Sequence, residues 1–302
     1  MILQPAGVHT LHAQAHLHRH CCSMPQVDAG SWEYEIVLQR GESTTYWTDL
    51  WRYRELLFFF AWRDTLIRYK QTAIGIGWAL VRPAAAMAVF VGFRKIAGLP
   101  SGQVPEVVFV FAAIVPWQFF STALTEAANS LVTYSNLVSK VYFPRLLVPV
   151  AAVATTLVDM VITLVLLAVL MAWYRVVPGW QIIVLPLFVV LVVGFSIGAG
   201  ILLAALTAKY RDFRYVVPFV VQCGLFLSPV AFTLSSIPER WRTLYSLNPL
   251  VGIIEGFRWS ILSGDAPPSD AAVLLSGSIT LFSIAVGIWY FRRVERSLAD
   301  VI

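Results

Sequence analysis

Six apolar runs, separated by short basic segments, leave this chain few folds to adopt. A helix crosses a bilayer with roughly 20 mostly apolar residues. Six stretches qualify: Ile74–Phe93, Val107–Leu124, Leu146–Trp173, Ile182–Leu206, Tyr215–Leu234 and Ala271–Phe291. Composition agrees. The chain is 58% hydrophobic and 13% charged, against roughly half and a quarter in a soluble domain. It reads as an all-α integral membrane protein of six transmembrane helices. An even number of spans puts both termini on one side.

Basic residues choose the side, because cytoplasmic loops carry the excess of Lys and Arg. Fourteen cations, including Arg52, Arg63, Arg68, Lys70, Lys140, Arg145 and Lys209, fall on one side and six on the other. Both termini are therefore expected in the cytoplasm. Arg94 and Lys95 break the pattern at the outer end of the first span, where long side chains can snorkel to headgroups. The net charge of +5 is scattered over span ends, so it is not the clustered basic face that nucleic acid requires. Three cysteines, two of them adjacent, give no disulfide framework. The first thirty residues lack an apolar core and a small-residue cleavage site, so they are not a secretory signal.

The reading divides the chain into a cytoplasmic segment over 1–49, an interfacial helix over 50–73 and a permease domain over 74–302. Within Trp51–Lys70 the apolar run Leu56–Trp62 is too short to span. Its flanking Trp, Tyr and Arg suit an amphipathic helix in the cytoplasmic interface. The external loop Ser235–Asp270 is too apolar for a solvated loop and is broken by Pro238, Pro249 and Gly264. Two short re-entrant helices between spans five and six would explain it. Such backbone is tolerated only where protein or a water-filled cavity covers it.

Candidate chemistry is sparse. His12, His16 and His20 share helical spacing, yet no acidic or cysteine cluster completes a metal shell. The surrounding segment has no apolar periodicity and is expected to be disordered. Met24 is a candidate start that would make residues 1–23 a translation artefact. There is no G-x-x-x-x-G-K-[ST] loop, no H-E-x-x-H and no G-x-S-x-G elbow. Asp159 falls near the middle of span three, and Arg82 two turns into span one. Ionisable groups at such depth face a cavity or a partner. For Asp159 a pore role and an internal pair stay equally open; for Arg82 a headgroup contact is favoured. Gly194-Phe-Ser-Ile-Gly198, with Ser196, Gly200 and Ala204, is a small-residue face for helix packing. Trp117, Phe119, Phe120 and Phe226 either pack against lipid and core or line a passage, since aromatic faces suit the C–H faces of sugars.

Several stretches together resemble polysaccharide-export ABC transporter permeases, which export O-antigen, capsule or teichoic-acid chains. They are Trp62-Arg-Asp-Thr-Leu-Ile-Arg-Tyr-Lys-Gln-Thr72, Gly75-Ile-Gly-Trp-Ala-Leu-Val-Arg-Pro83, Asn136-Leu-Val-Ser-Lys-Val-Tyr-Phe-Pro-Arg145, Lys209–Pro218 and Ser228–Trp259. The likeness runs in order from Leu50 to Arg293. It implies a non-enzymatic subunit of the bacterial inner membrane that pairs with a second copy of itself and two ATP-binding subunits. ATP and Mg would belong to those partners, and this chain would hold no cofactor. The resemblance gives Asn136, Lys140, Tyr142, Phe143, Pro144 and Arg145, with Arg63 and Asp64, to ATPase coupling. Tyr142-Phe143 would be the knob, and Pro144 would start span three. It implies a glycan on a polyprenyl-pyrophosphate lipid, for which Arg68, Lys70 and Arg82 are candidate contacts, since guanidinium matches phosphate oxygens. Glu255 and Arg258 would sit near the channel exit. Two other readings compete: a permease for a small lipid or drug, and a membrane enzyme of glycan assembly.

Overall fold

The computed structural model describes residues 43–70, 77–98, 104–138, 140, 143–234, 237–262 and 267–301. Among them every regular element is helical. The histidine-rich segment, Met24 and Tyr142 lie outside the described residues. The helices are α1 Ser43–Arg52, α2 Arg54–Lys70, α3 Gly77–Ile96, α4 Glu106–Thr133, α5 Ser135–Val138, α6 Leu147–Trp173, α7 Leu185–Lys209, α8 Phe213–Phe226, α9 Glu239–Tyr245, α10 Pro249–Ile261 and α11 Asp270–Val301. A 3₁₀ turn, Trp180–Val184, leads into α7.

Four helices are long and apolar enough to cross a membrane: Glu106–Thr133, Leu147–Trp173, Trp180–Lys209 and Asp270–Glu295. Two of the six expected spans differ from these. α3 has 20 residues but carries Arg82, Arg94 and Lys95. α8 stops after 14 residues, about 21 Å of helix, where the apolar run predicts continuation to Leu234. The local cause is Ser228-Pro229: proline lacks an N–H and disfavours helical backbone at the residue before it.

α4 is the axis of the bundle, packing against α3, α6, α7, α8 and α10. Its 28 residues set two ends of the fold about 42 Å apart. α7 lies between α4 and α11, and its small residues allow this on two sides. A Cβ on Gly198 would meet the α11 backbone, 2.6 Å from Ile284 N. One on Gly200 would meet Ala127 Cβ of α4 at 2.8 Å. With weak hydrophobic drive between helices in lipid, such close backbone approach supplies the van der Waals attraction.

The segment expected to be one amphipathic helix is two, separated at Tyr53. α2 packs along α6, and its other sides present Phe58, Phe59 and Trp62 outward. Arg54, Glu55 and Lys70 are exposed with them, so aromatic and charged groups share its outward surface. The expected external loop holds two short helices. α10 starts with Asn248 as N-cap, whose side chain accepts from Leu250 N at 3.1 Å, and Pro249 follows in the first turn. Nearly all of α10 is buried against α4, α7 and α11.

Candidate functional site

Helical spacing on two helices builds a polar cavity. Gln118, Thr122 and Glu126 recur every four residues along α4. Thr156, Asp159 and Thr163 follow at three and four residues along α6. Each set lies on one helix face. Both sets, with Arg68 and Tyr69 of α2 and Trp78 and Arg82 of α3, line a cavity of about 480 Å³. Phe119 supplies part of its apolar wall.

Arg68 bridges three helices at this cavity. One terminal nitrogen donates to Asp159 Oδ2 at 2.5 Å, the other to Glu126 Oε1 at 3.0 Å. The Tyr69 hydroxyl donates to the other Asp159 oxygen. Burial, then this bond, pushes the Tyr69 phenol well above its usual value, so it stays a neutral donor. Asp159 is therefore paired and lines the cavity at once. Arg82 is exposed on the same wall and makes no ion pair among the described residues. Lys70 is exposed and lines neither this cavity nor the groove described below.

At the end of the bundle near α5, an aromatic joint ties α2 to the loop before α6. Phe60 is buried, its ring 5.8 Å from Phe143 and stacked 6.2 Å from Tyr134. Arg63 lies 4.9 Å over the Tyr134 ring and pairs with Asp64 at 3.1 Å. Burial, then a hydrogen bond to Asp64, pushes the Tyr134 phenol up to about 12. Phe143, half of the expected Tyr142-Phe143 knob, is 5% exposed and packs in one buried cluster with Phe60 and Leu131. Pro144 is also buried, and α6 begins three residues later, at Leu147. Arg145 donates to the Glu295 carbonyl of α11 at 3.4 Å. Among the described residues of this stretch, Asn136 and Lys140 are exposed.

A second, apolar groove of about 650 Å³ lies across α4, between α7, α8 and α9. Trp117 and Phe120 line it with Phe195, Phe219, Trp241 and Tyr245. The adjacent Phe119 and Phe120 thus serve opposite sides of α4. Phe226 is 72% exposed and lines neither space. Arg258 is 2% exposed and donates to the carbonyls of Pro229, Val230 and Phe232. Glu255 accepts from Leu234 N at 2.7 Å. Arg94, expected to snorkel, is 5% exposed and donates to the Ala231 carbonyl.

A family model described as "ABC-2 type transporter" matches residues 55–262. The chain belongs to this family of transporter membrane subunits. It is 28% identical over 251 residues to the O-antigen export system permease protein RfbA of Myxococcus xanthus, covering 82% of this chain and 96% of that one. RfbA of Klebsiella pneumoniae is 24% identical over 82% and 95% of the two chains. The polysialic acid transport protein KpsM of Escherichia coli is 22% identical over 78% and 92%. The matched region takes in the polar cavity, the aromatic joint and the groove.

Sequence reasoning missed Tyr69, Glu126 and the threonines of the cavity. Their four-residue polar spacing on otherwise apolar helices was the available signal. Phe109, on which Arg94 and Arg258 rest, left none, and Asn248-Pro249 signals a helix start but not the bond from Asn248 to the end of α8.

Proposed function

We propose that this ABC-2 subunit is the permease of an ATP-driven exporter that moves lipid-linked, O-antigen-like polysaccharide across the bacterial inner membrane. The observation that carries this reading is similarity to O-antigen export permeases over nearly their whole length. In this reading α3 and α8 complete six spans, α9 and α10 are re-entrant on the outer side, and both termini are cytoplasmic. Two copies pair with two ATP-binding subunits, which hold ATP and Mg. Asn136 and Lys140, exposed beside the aromatic joint, meet the ATPase, and Phe60–Phe143 passes its motion to α2.

The polar cavity suits a pyrophosphate-bearing headgroup. Arg82 presents a guanidinium to it, and aromatic walls of Trp78 and Phe119 stand beside hydroxyl and amide groups. The apolar groove offers ring faces that hold a sugar chain weakly enough to let it slide. Deleting the gene should empty the cell surface of its glycan and leave lipid-linked polymer inside. Unchanged surface glycan, with loss of a small lipid or drug instead, contradicts the proposal.

A further inference from the structure

The backbone after α8 leaves the helix inside the fold, with Ser228, Pro229, Val230 and Ala231 all buried. Irregular backbone at membrane depth persists only when its polar groups find partners. Here other parts of the chain supply them. Asn248 donates to the Leu227 carbonyl at 3.1 Å. Val230 N donates to the Ser228 carbonyl at 2.8 Å. Arg258 serves Pro229 at 2.8 Å, Val230 at 3.3 Å and Phe232 at 3.4 Å. Arg94 serves Ala231. Every carbonyl from Leu227 to Phe232 thus has a donor.

Both guanidiniums rest on one ring, Phe109 of α4, at 3.9 Å for Arg258 and 4.7 Å for Arg94. Burying a cation is costly unless its surroundings compensate. A helix continued to Leu234 would satisfy the carbonyls of Leu227 to Val230 with no buried charge, and would lose only the bond from position 229 to the Leu225 carbonyl. The arginines instead stabilise the stop. The stop also borders the groove: Leu227, Ser228 and Asn248 line it. One turn earlier on α8, a Cβ on Gly224 would come within 2.9 Å of the Trp117 ring. A shift of α8 therefore changes the groove directly.

We propose that Arg258 and Arg94, stacked on Phe109, are positioning residues that fix where α8 ends and so set the width of the aromatic groove. The consequence for transport rests on the groove being part of the export path; the effect on α8 does not. The test uses the full permease with its ATPase in native membranes. Cys21 and Cys22 are changed to Ser, leaving Cys223 of α8, which lines the groove, as the single thiol of this chain, and labelling is read on this chain alone.

Arg258→Met and Arg94→Met should each change the N-ethylmaleimide labelling rate of Cys223 by about threefold and lower export about tenfold. The double variant should be no worse than the worse single, because the two act as one unit. Arg258→Lys should recover only part, since an ammonium lacks the planar fork. Unchanged Cys223 labelling in Arg258→Met overturns the proposal. If that variant does not accumulate, Arg258→Lys and Arg94→Lys decide by the same readout. A parent chain that exports no glycan would sink the export reading, while the labelling comparison still decides the role of the arginines.

Discussion

Asp159→Asn should lower export about tenfold or more while the chain still reaches the membrane. The substitution keeps shape and removes charge. Arg68 then keeps Glu126, half exposed, as its carboxylate partner, and the single amide oxygen at 159 cannot serve both Arg68 and Tyr69 as the two carboxylate oxygens do. A hydrogen bond to a charged group contributes about 1.5–3 kcal/mol. The lower part of that range applies, since the Arg68 and Asp159 side chains keep 28% and 26% of their exposure. The larger effect is positional. Arg68 and Tyr69 together tie α2 to the cavity wall of α4 and α6, so the variant loosens that link and leaves the Arg68–Glu126 bond and the packing of α2 on α6. Arg68→Ala with Asp159→Ala should be milder in stability than the two single losses added, with a coupling of about 0.5–3 kcal/mol. Thermal unfolding of the purified complex and surface-glycan staining read the two effects. Unchanged midpoint and unchanged export in Asp159→Asn would remove Arg68–Asp159 from the mechanism.

Gly198→Leu should prevent the bundle from assembling, and Gly198→Ala should destabilise it by about 1–3 kcal/mol. A Cβ at this position lies 2.6 Å from Ile284 N and 2.7 Å from Ser283 C. These are backbone atoms, so no side-chain rotation relieves the contact. The reciprocal Cβ on Gly287 would lie 2.5 Å from the Gly198 carbonyl oxygen. A Cβ on Gly277 of the same α11 would meet nothing within 4 Å. Gly277→Ala should therefore be neutral or gain up to about 1 kcal/mol of helix propensity. Membrane abundance and thermal midpoint of the three variants check the contrast. Equal abundance of Gly198→Leu and Gly277→Ala would mean that α7 and α11 do not meet there.

How much was legible follows from how local each determinant is. The extents of α6 and α7 are written in apolar runs, and the small-residue face of α7 in its spacing; α4 and α11 run on past their apolar runs, from Leu124 to Thr133 and from Phe291 to Val301. The end of α8 was not legible. Ser228-Pro229 hints at a break, but the donors that make it possible come from Arg94 and Arg258, 137 and 28 residues from their acceptors. Asp159 showed its cost in sequence but not its partner, because Arg68 stands 91 residues earlier. The resemblance gives Tyr142-Phe143 the part of a knob, and the contact of Phe143 with Phe60 had no signal in spacing. Buried polar partners and ring contacts are products of tertiary packing, which periodicity cannot name.

The most direct test of export is reconstitution of this chain with its ATP-binding partner in vesicles carrying a polyprenyl-pyrophosphate glycan. The account predicts that the glycan crosses only when both chains and hydrolysable ATP are present. Turnover of the lipid-linked sugar by this chain alone, or ATP-driven movement of a small lipid with the glycan left behind, would contradict it.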